Sequence, residues 1–152
     1  MTENASTSHE DEVAVGQGGQ IVASAVVDSA SGLSGEGRAG VHRLVVDEGR
    51  SAGGNDEGFN PFQLVLLGLA QCTSATLRLY ADRKHWELGE IRVRVQLVQI
   101  GEGSSSQWRI ERQVRLAADL GVEQVARLAE IAERTPVTRM LRTGASIETT
   151  MV

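Results

Sequence analysis

The chain has 152 residues, enough for one domain with a full hydrophobic core, and its hydrophobic content of 41% indicates that most of it folds. Its formal net charge of −5 and the scattering of its arginines argue against a nucleic-acid partner. A single cysteine excludes an internal disulfide framework, and the longest apolar run, residues 64–70, is too short to span a bilayer. We therefore expect a cytoplasmic protein that has no contact with membranes.

Residues 1–19 are polar and acidic and end in two glycines. We expect them to form a disordered tail, since they offer too little apolar surface to offset the entropy cost of ordering. Residues 1–12 contain no apolar run, so a signal peptide is not expected. Residues 20–152 are predicted to form a single domain.

Two β-prone runs open this predicted domain, at residues 21–27 and 41–46. The Gly- and Ser-rich residues 29–37 between them are predicted to be a turn, so the two runs would form a hairpin. Residues 47–59, which are rich in glycine and charged residues, are predicted to be a loop.

A long helix is predicted to follow this loop. Asn60 is a favourable N-cap, Pro61 suits the first helical position, and Gln63 can complete a capping box. The helix is predicted to run to about Lys84. Its first half is apolar on nearly every side, so we expect it to be fully buried. The apolar positions are Leu64, Val65, Leu66, Leu67, Leu69 and Ala70.

In the rest of the chain, the spacing of apolar residues switches between the period of a strand and that of a helix. A second hairpin with one solvated face is followed by two helices and a last strand. These elements are strands 91–97 and 108–116 around a turn at 101–106, a helix at 122–134, a short helix from Pro136 to about Gly144, and a strand at 145–152. The order ββαββααβ predicts an α+β fold with mostly antiparallel pairing.

Several motifs for cofactors and metals are absent or stand in the wrong place. Residues 35–40 fit GxGxxG, but a dinucleotide-binding loop must feed a helix and this one feeds a strand. His9, His42 and His85 lie in unrelated contexts, and no cluster has metal-ligand spacing. No serine sits in a strand–turn–helix elbow. We therefore expect no cofactor, no metal and no serine-hydrolase site.

Cys72 is the candidate for covalent chemistry. A lone cysteine among leucines is more often an inert core residue than a nucleophile. It lies some three turns into the predicted helix, where the helix dipole does little to lower the pKa of its thiol. Activation would therefore require a cation from elsewhere in the chain.

Three segments carry a resemblance to a known family. Residues 53–73, GGNDEGFNPFQLVLLGLAQCT, resemble the signature of the OsmC/Ohr family. Residues 76–86, TLRLYADRKHW, resemble its continuation in one subgroup, and residues 131–139, IAERTPVTR, resemble the IAE-x-CPV-x-R segment. With the order of elements, the similarity covers about residues 20–152.

The resemblance implies an intertwined homodimer with two central buried helices and with Cys72 near the subunit interface. It also implies a peroxidatic role for Cys72, whose thiolate attacks a hydroperoxide and becomes a sulfenic acid that a second cysteine captures. An arginine of the N-terminal hairpin activates the thiolate in such proteins, held by a glutamate at the helix start. Arg38 is the best match to that arginine, and Arg43 is the alternative; either could equally be a solvated hairpin residue.

The chain departs from this family pattern at two positions. The second cysteine is replaced by Thr135, which can N-cap the helix that begins at Pro136. The acidic position at the helix start is occupied by Phe62 and Gln63. The departures imply that any redox cycle would require an external thiol.

Two functions follow from these residues. The first is an antioxidant, stress-response thiol peroxidase that reduces organic hydroperoxides with Cys72 as nucleophile and Arg38 as thiolate-stabilising cation. The second is a redox-inactive dimer that binds a small apolar ligand, with Cys72 as a core or sensor thiol.

Overall fold

The computed structural model describes residues 19–102 and 106–152. The predicted acidic tail therefore lies, apart from Gly19, outside the described residues. The described residues form two compact units that divide between Pro61 and Phe62. The α+β class is confirmed. The elements are β1 (Val26–Asp28), β2 (Gly35–Ala39), β3 (His42–Val46), a 3-10 helix (Arg50–Ala52), α1 (Pro61–Arg83), β4 (Ile91–Ile100), β5 (Gln107–Leu116), α2 (Val122–Ala132) and α3 (Pro136–Thr143).

The first unit contains a three-stranded antiparallel sheet in the order β1-β2-β3. This differs from the predicted hairpin, because the last three residues of the predicted turn, 35–37, belong to the central strand β2. Gly35 allows this strand to approach β1, since a Cβ atom there would lie 2.8 Å from the carbonyl oxygen of Asp28. The turn itself is shorter, and the hydroxyl of Ser29 donates to the carbonyl of Ser34 at 2.8 Å.

The loop after β3 is organised around the buried carboxylate of Asp47. This carboxylate accepts backbone hydrogen bonds from Glu48, Asn55 and Glu57 at 2.8, 3.0 and 3.1 Å. The hydrogen bond from Glu57 is the main reason that the pKa of Asp47 is lowered from its ordinary value. The loop then returns to the sheet at Gly58, where a side chain would collide with the backbone of β3.

The helix α1 begins at Pro61 and ends at Arg83, within one residue of the predicted bounds. Its first half is not fully buried in the single chain, contrary to the expectation from its composition: Leu69 is buried, whereas Val65 and Leu67 are exposed. Among the described helices, α1 is long and apolar enough to cross a membrane by length and composition. A central helix of a soluble protein has the same composition.

The strands β4 and β5 pair in a ten-residue antiparallel ladder from Ile91↔Leu116 to Ile100↔Gln107. The predicted hairpin is confirmed, and its strands are longer than expected at the turn end. Along β4 the burial alternates from Ile91 to Leu97, so one face of the ladder is solvated.

The core of the second unit lies where α1, α2 and the segment before β4 meet. Its buried members are Leu77, Ala81, Leu88, Leu128 and Ala132. Because the apolar positions of α2 recur at helical spacing, they form one apolar stripe that packs against this core.

The final residues, 145–152, do not form the predicted strand in the single chain. Their apolar side chains remain outside the core, and Ile147 is 89% exposed. A strand requires a neighbour for its backbone groups, and these residues pair with none of the five described strands.

Candidate functional site

Cys72 lies in the middle of α1 and is half-buried. Its carbonyl oxygen accepts a hydrogen bond from the hydroxyl of Thr76 at 2.7 Å. The next residue, Thr73, is completely buried, and its hydroxyl donates to the carbonyl of Leu69 at 2.8 Å. Two threonine hydroxyls therefore bond to the helix backbone around the thiol.

Arg112 fastens this part of α1 to the rest of the second unit. The side chain is 11% exposed, and one guanidinium nitrogen donates to the hydroxyls of Thr73 and Thr138 at 3.0 and 2.9 Å. The other nitrogen donates to the carbonyl of Ala132 at 2.9 Å and to Glu133 at 3.0 Å. One side chain on β5 thereby connects α1, the end of α2 and α3.

Thr135 belongs to the same network. It is fully buried and forms the N-cap of α3, as predicted, with its hydroxyl accepting from the backbone N–H of Thr138. The two hydroxyls of Thr135 and Thr138 are 2.6 Å apart. A continuous chain of hydrogen bonds therefore runs from Thr73, beside Cys72, through Arg112 and Thr138 to Thr135, for which the sequence resemblance predicted the position of a second cysteine.

The charges of this network leave a net positive balance. Glu133 contacts the guanidinium groups of both Arg112 and Arg142. The hydrogen bond from Arg142 is the first reason that the pKa of Glu133 is lowered. Two permanent cations and one ionised carboxylate sum to one positive charge.

A cavity of about 400 Å³ lies beside this network within the second unit. Arg112 and Thr138 contribute to its wall, but Cys72 is not among the residues that line it. Its remaining lining is partly apolar and partly charged: Leu69, Trp108, Arg109, Ile110, Glu133, Leu141 and Arg142. The cavity can therefore take a small molecule that has both apolar and polar groups.

Arg38 and Arg43 lie in the first unit, directly opposite each other on β2 and β3. Arg38 forms an ion pair with Asp28 at 2.6 Å, and Arg43 forms one with Glu36 at 2.6 Å. Arg38 is the less exposed of the two, at 33% against 67%. Both cations therefore hold carboxylate partners within their own unit.

Cofactor and metal motifs do not come together in the described part of the chain. Residues 35–39 of the GxGxxG match form β2 rather than a loop before a helix. Within residues 19–102 and 106–152, no group of three or more His, Cys, Asp or Glu side chains is positioned to hold a metal ion.

Sequence reasoning did not identify Arg112 as part of the site. The signal was available in β5, where Trp108, Ile110, Val114 and Leu116 mark every second position as apolar and Arg112 stands in that row. An arginine on the core-facing side of a strand needs buried partners. Those partners come from three helices, which the sequence does not bring together by itself.

Solved structures similar to this chain come from several bacteria. An organic hydroperoxide resistance protein OsmC from Legionella pneumophila has a TM-score of 0.66 and 18% identity, over 82% of this chain and 91% of that one. An organic hydroperoxide resistance protein from Elizabethkingia anophelis has a TM-score of 0.64 and 22% identity, over 82% and 91%. An OsmC-like protein from Mycoplasma pneumoniae has a TM-score of 0.61 and 17% identity, over 82% and 89%. At such identities the likeness establishes the fold.

No curated protein sequence is significantly similar to this one. The family comparison gives a match over most of the chain, with the OsmC-like proteins, and it covers residues 53–150. The matched segment contains α1 with Cys72, the β4–β5 ladder and both later helices. Members of this family are soluble proteins. The chain therefore belongs to the OsmC-like protein family.

Proposed function

We propose that the chain is a cytoplasmic thiol peroxidase that reduces organic hydroperoxides through a single cysteine, Cys72. The observation that carries this proposal is the half-buried Cys72 in the middle of α1, inside the segment that matches the family. Two of the similar structures are of organic hydroperoxide resistance proteins, which agrees with a redox role. A free thiol without a disulfide partner also suits a reducing compartment.

The proposed reaction begins with the Cys72 thiolate. The sulfur attacks the terminal oxygen of the hydroperoxide, the O–O bond breaks, and the released alkoxide takes up a proton to become an alcohol. Cys72 is oxidised to sulfenic acid in this step. A first external thiol then forms a mixed disulfide with Cys72 and releases water, and a second thiol frees Cys72 as it forms a disulfide with the first.

Arg38 is the proposed cation for the thiolate. A nearby guanidinium favours the charged form of a thiol and lowers its pKa. Arg38 is held at 2.6 Å by Asp28, so its head group is oriented within the first unit. Arg43 is the alternative, but it is more exposed and its partner Glu36 also lies within 4.0 Å of Arg38.

The external thiol is proposed because the chain holds no second cysteine. The residue that matches the family's second cysteine, Thr135, is a buried N-cap bonded to Thr138. A hydroxyl cannot capture a sulfenic acid as a disulfide. The reductant must therefore be a small molecule or another protein.

A homodimer is part of the proposal. The single chain leaves large apolar side chains of α1 exposed, among them Phe62, Val65, Leu67 and Leu79. Burial of apolar surface contributes about 25 cal/mol per Å², so an uncovered central helix is costly. The unpaired residues 145–152 leave a further apolar segment for a partner.

The second candidate function is ligand binding without redox chemistry. The cavity of about 400 Å³ favours it, because the cavity is partly apolar and Cys72 does not line it. In this case a small apolar ligand would occupy the cavity, and Cys72 would be a core or sensor thiol.

Intact mass measurement after one equivalent of cumene hydroperoxide, compared with hydrogen peroxide, tests the two functions. If the protein is a peroxidase, the mass of wild type should increase by one oxygen and that of Cys72→Ser should not. Cumene hydroperoxide should oxidise wild type faster than hydrogen peroxide does. Oxidation of wild type no faster than that of free cysteine would reject the peroxidase reading. Stabilisation by cumyl alcohol in both wild type and Cys72→Ser would then favour the ligand-binding function.

A further inference from the structure

Three arginines lie side by side on the solvated face of the β4–β5 ladder. Arg92 is directly opposite Arg115, and Arg94 follows two residues along β4 on the same face. Opposed residues in an antiparallel pair have Cα atoms about 4.5–5.5 Å apart, so the side chains of Arg92 and Arg115 leave the ladder from neighbouring positions. With Gln113 and Val114 they line a depression of about 540 Å³.

These arginines have little acidic compensation. Arg92 approaches Glu90 at 3.8 Å, which is longer than a hydrogen bond. Neither Arg94 nor Arg115 forms an ion pair with any residue of 19–102 or 106–152. Like charges directly opposite each other in a sheet are destabilising, so the pair Arg92–Arg115 costs stability unless an anion relieves it.

The same face shows how the chain compensates charge elsewhere. Farther along the ladder, Glu111 accepts hydrogen bonds from Arg109 at 2.7 Å and Gln96 at 2.8 Å. The hydrogen bond from Gln96 is the main reason that the pKa of Glu111 is lowered, and the bond from Arg109 comes next. The carboxylate therefore stays ionised. The arginine end of the ladder, where Glu90 is the carboxylate that approaches Arg92, therefore stands apart within a chain whose net charge is −5.

We propose that this arginine face, defined by Arg92, Arg94 and Arg115, binds a phosphate group. A guanidinium presents parallel N–H donors that bind phosphate oxygens in pairs, and the tetrahedral anion has enough oxygens for more than one arginine. A dianion between Arg92 and Arg115 adds two attractions that outweigh the one repulsion between the arginines. The ligand is compact, because the acidic remainder of the chain repels a long polyanion such as nucleic acid.

Thermal unfolding of the full chain with inorganic phosphate, against chloride at equal ionic strength, tests the face. Phosphate should raise the Tm of wild type more than that of Arg92→Gln/Arg115→Gln, because the variant keeps the general stabilisation by phosphate and loses the part that the arginines contribute. In chloride the double variant should unfold no earlier than wild type, since the repulsion is removed. Arg50→Gln/Arg134→Gln, which removes two exposed arginines elsewhere, should keep the phosphate increase.

General stabilisation by phosphate acts on every variant alike, so an equal increase in wild type and Arg92→Gln/Arg115→Gln would overturn the proposal. Sedimentation with phosphatidylcholine vesicles that contain phosphatidic acid distinguishes the source of the phosphate. Binding that the double variant loses would assign the site to a lipid headgroup, whereas a response to inorganic phosphate without vesicle binding would assign it to a free ligand. Tighter binding to single-stranded DNA than to phosphate would refute the compact ligand.

Discussion

Arg112 donates a hydrogen bond to the hydroxyl of Thr73 at 3.0 Å, and so ties β5 to α1 one residue beyond Cys72. The same nitrogen donates to Thr138 at 2.9 Å, which brings α3 into the same connection. Because this arginine is nearly buried, its bonds are shielded from competing water. The stretch of α1 that carries the thiol is therefore held by polar bonds on one side as well as by packing.

Replacement of Arg112 by methionine should destabilise the protein by about 1–3 kcal/mol, because the buried partners Thr73 and Thr138 lose a donor. Urea unfolding measures the loss. Arg109→Met on the same strand is the matched control, since Arg109 is exposed and solvent screens its pair with Glu111, so the pair adds little to stability. Equal losses in the two variants would contradict the structural role of Arg112.

The sequence predicted the elements whose signals are local. Asn60-Pro61 correctly predicted that α1 starts at Pro61. The alternation of apolar and polar residues correctly predicted both strands of the β4–β5 ladder. The prediction of a turn at residues 35–37 was wrong because glycine has a low strand propensity. That propensity does not take into account that Gly35 allows two backbones to approach closely. Alternation also predicted a strand at 145–152, although a strand needs a partner that the sequence of one segment does not specify.

The candidate site was predictable in part. Cys72 and Thr135 were found through the resemblance, and the capping role of Thr135 followed from its position before Pro136. The link between them was not found, because it depends on Arg112 reaching residues 39 and 26 positions away in the chain. Contacts of such separation are fixed by tertiary packing rather than by local pattern.

Asp47 should make the stability of the first unit depend on pH. Its pKa is lowered below the ordinary value of 3.8, chiefly by the backbone hydrogen bond from Glu57. A carboxyl with a lowered folded-state pKa stabilises the fold above its unfolded-state value and loses that effect as pH falls through the folded-state value. The Tm should therefore fall below about pH 4 in wild type. Asp47→Asn should have a lower Tm at neutral pH and a weaker acid dependence.

Asp56 provides the control for this prediction. It lies in the same loop and is exposed, and it adopts a left-handed φ of 60° that asparagine tolerates. Asp56→Asn should leave the acid dependence of the Tm unchanged. An identical acid transition in wild type and Asp47→Asn would show that other carboxylates dominate.

The exposed apolar side chains of α1 predict an obligate dimer. Sedimentation equilibrium of wild type in the micromolar range should give the mass of two chains, and a folded monomer would rule the dimer out. Val65→Glu/Leu67→Glu should weaken association or prevent soluble expression, because charges replace apolar contacts in a buried interface. Val122→Glu, at an exposed position at the start of α2, should leave the mass unchanged.

Thr135→Cys should restore an internal disulfide with Cys72 after peroxide treatment. The variant returns a thiol to the position that the family resemblance assigns to it, and free-thiol titration should fall from two thiols to none. The loss of the N-cap hydroxyl should cost about 0.5–2 kcal/mol in the reduced state. Thr135→Ser keeps the cap and adds no thiol, so it should retain wild-type stability and its single titratable thiol. One free thiol after peroxide, with Cys72 as a sulfenic acid, would show that the two positions are too far apart.

Cys72 should form a persistent sulfenic acid, because no second cysteine in the chain can capture it. Dimedone trapping after peroxide should label wild type, and Cys72→Ser should not be labelled. Added small thiols should compete with dimedone by forming a mixed disulfide, and a bulky dithiol should turn over more slowly because Cys72 is half-buried. Overoxidation at higher peroxide should appear as further oxygen additions in the intact mass.

Arg38→Ala should shift the pH dependence of this trapping to higher pH without unfolding the protein. Loss of a cation raises the pKa of a thiol that it stabilises, so less thiolate is present at neutral pH and the first step slows. The ion pair that Arg38 forms with Asp28 is partly exposed and contributes about 0–1 kcal/mol, so the Tm should change little. Arg43→Ala removes the same charge from the opposed position and should leave the pH profile as in wild type.

A shift in Arg43→Ala alone would transfer the activating role to Arg43. If neither variant shifts the profile while wild type still reacts with peroxide, neither Arg38 nor Arg43 stabilises the thiolate, and the net positive network of Arg112, Arg142 and Glu133 becomes the source to test.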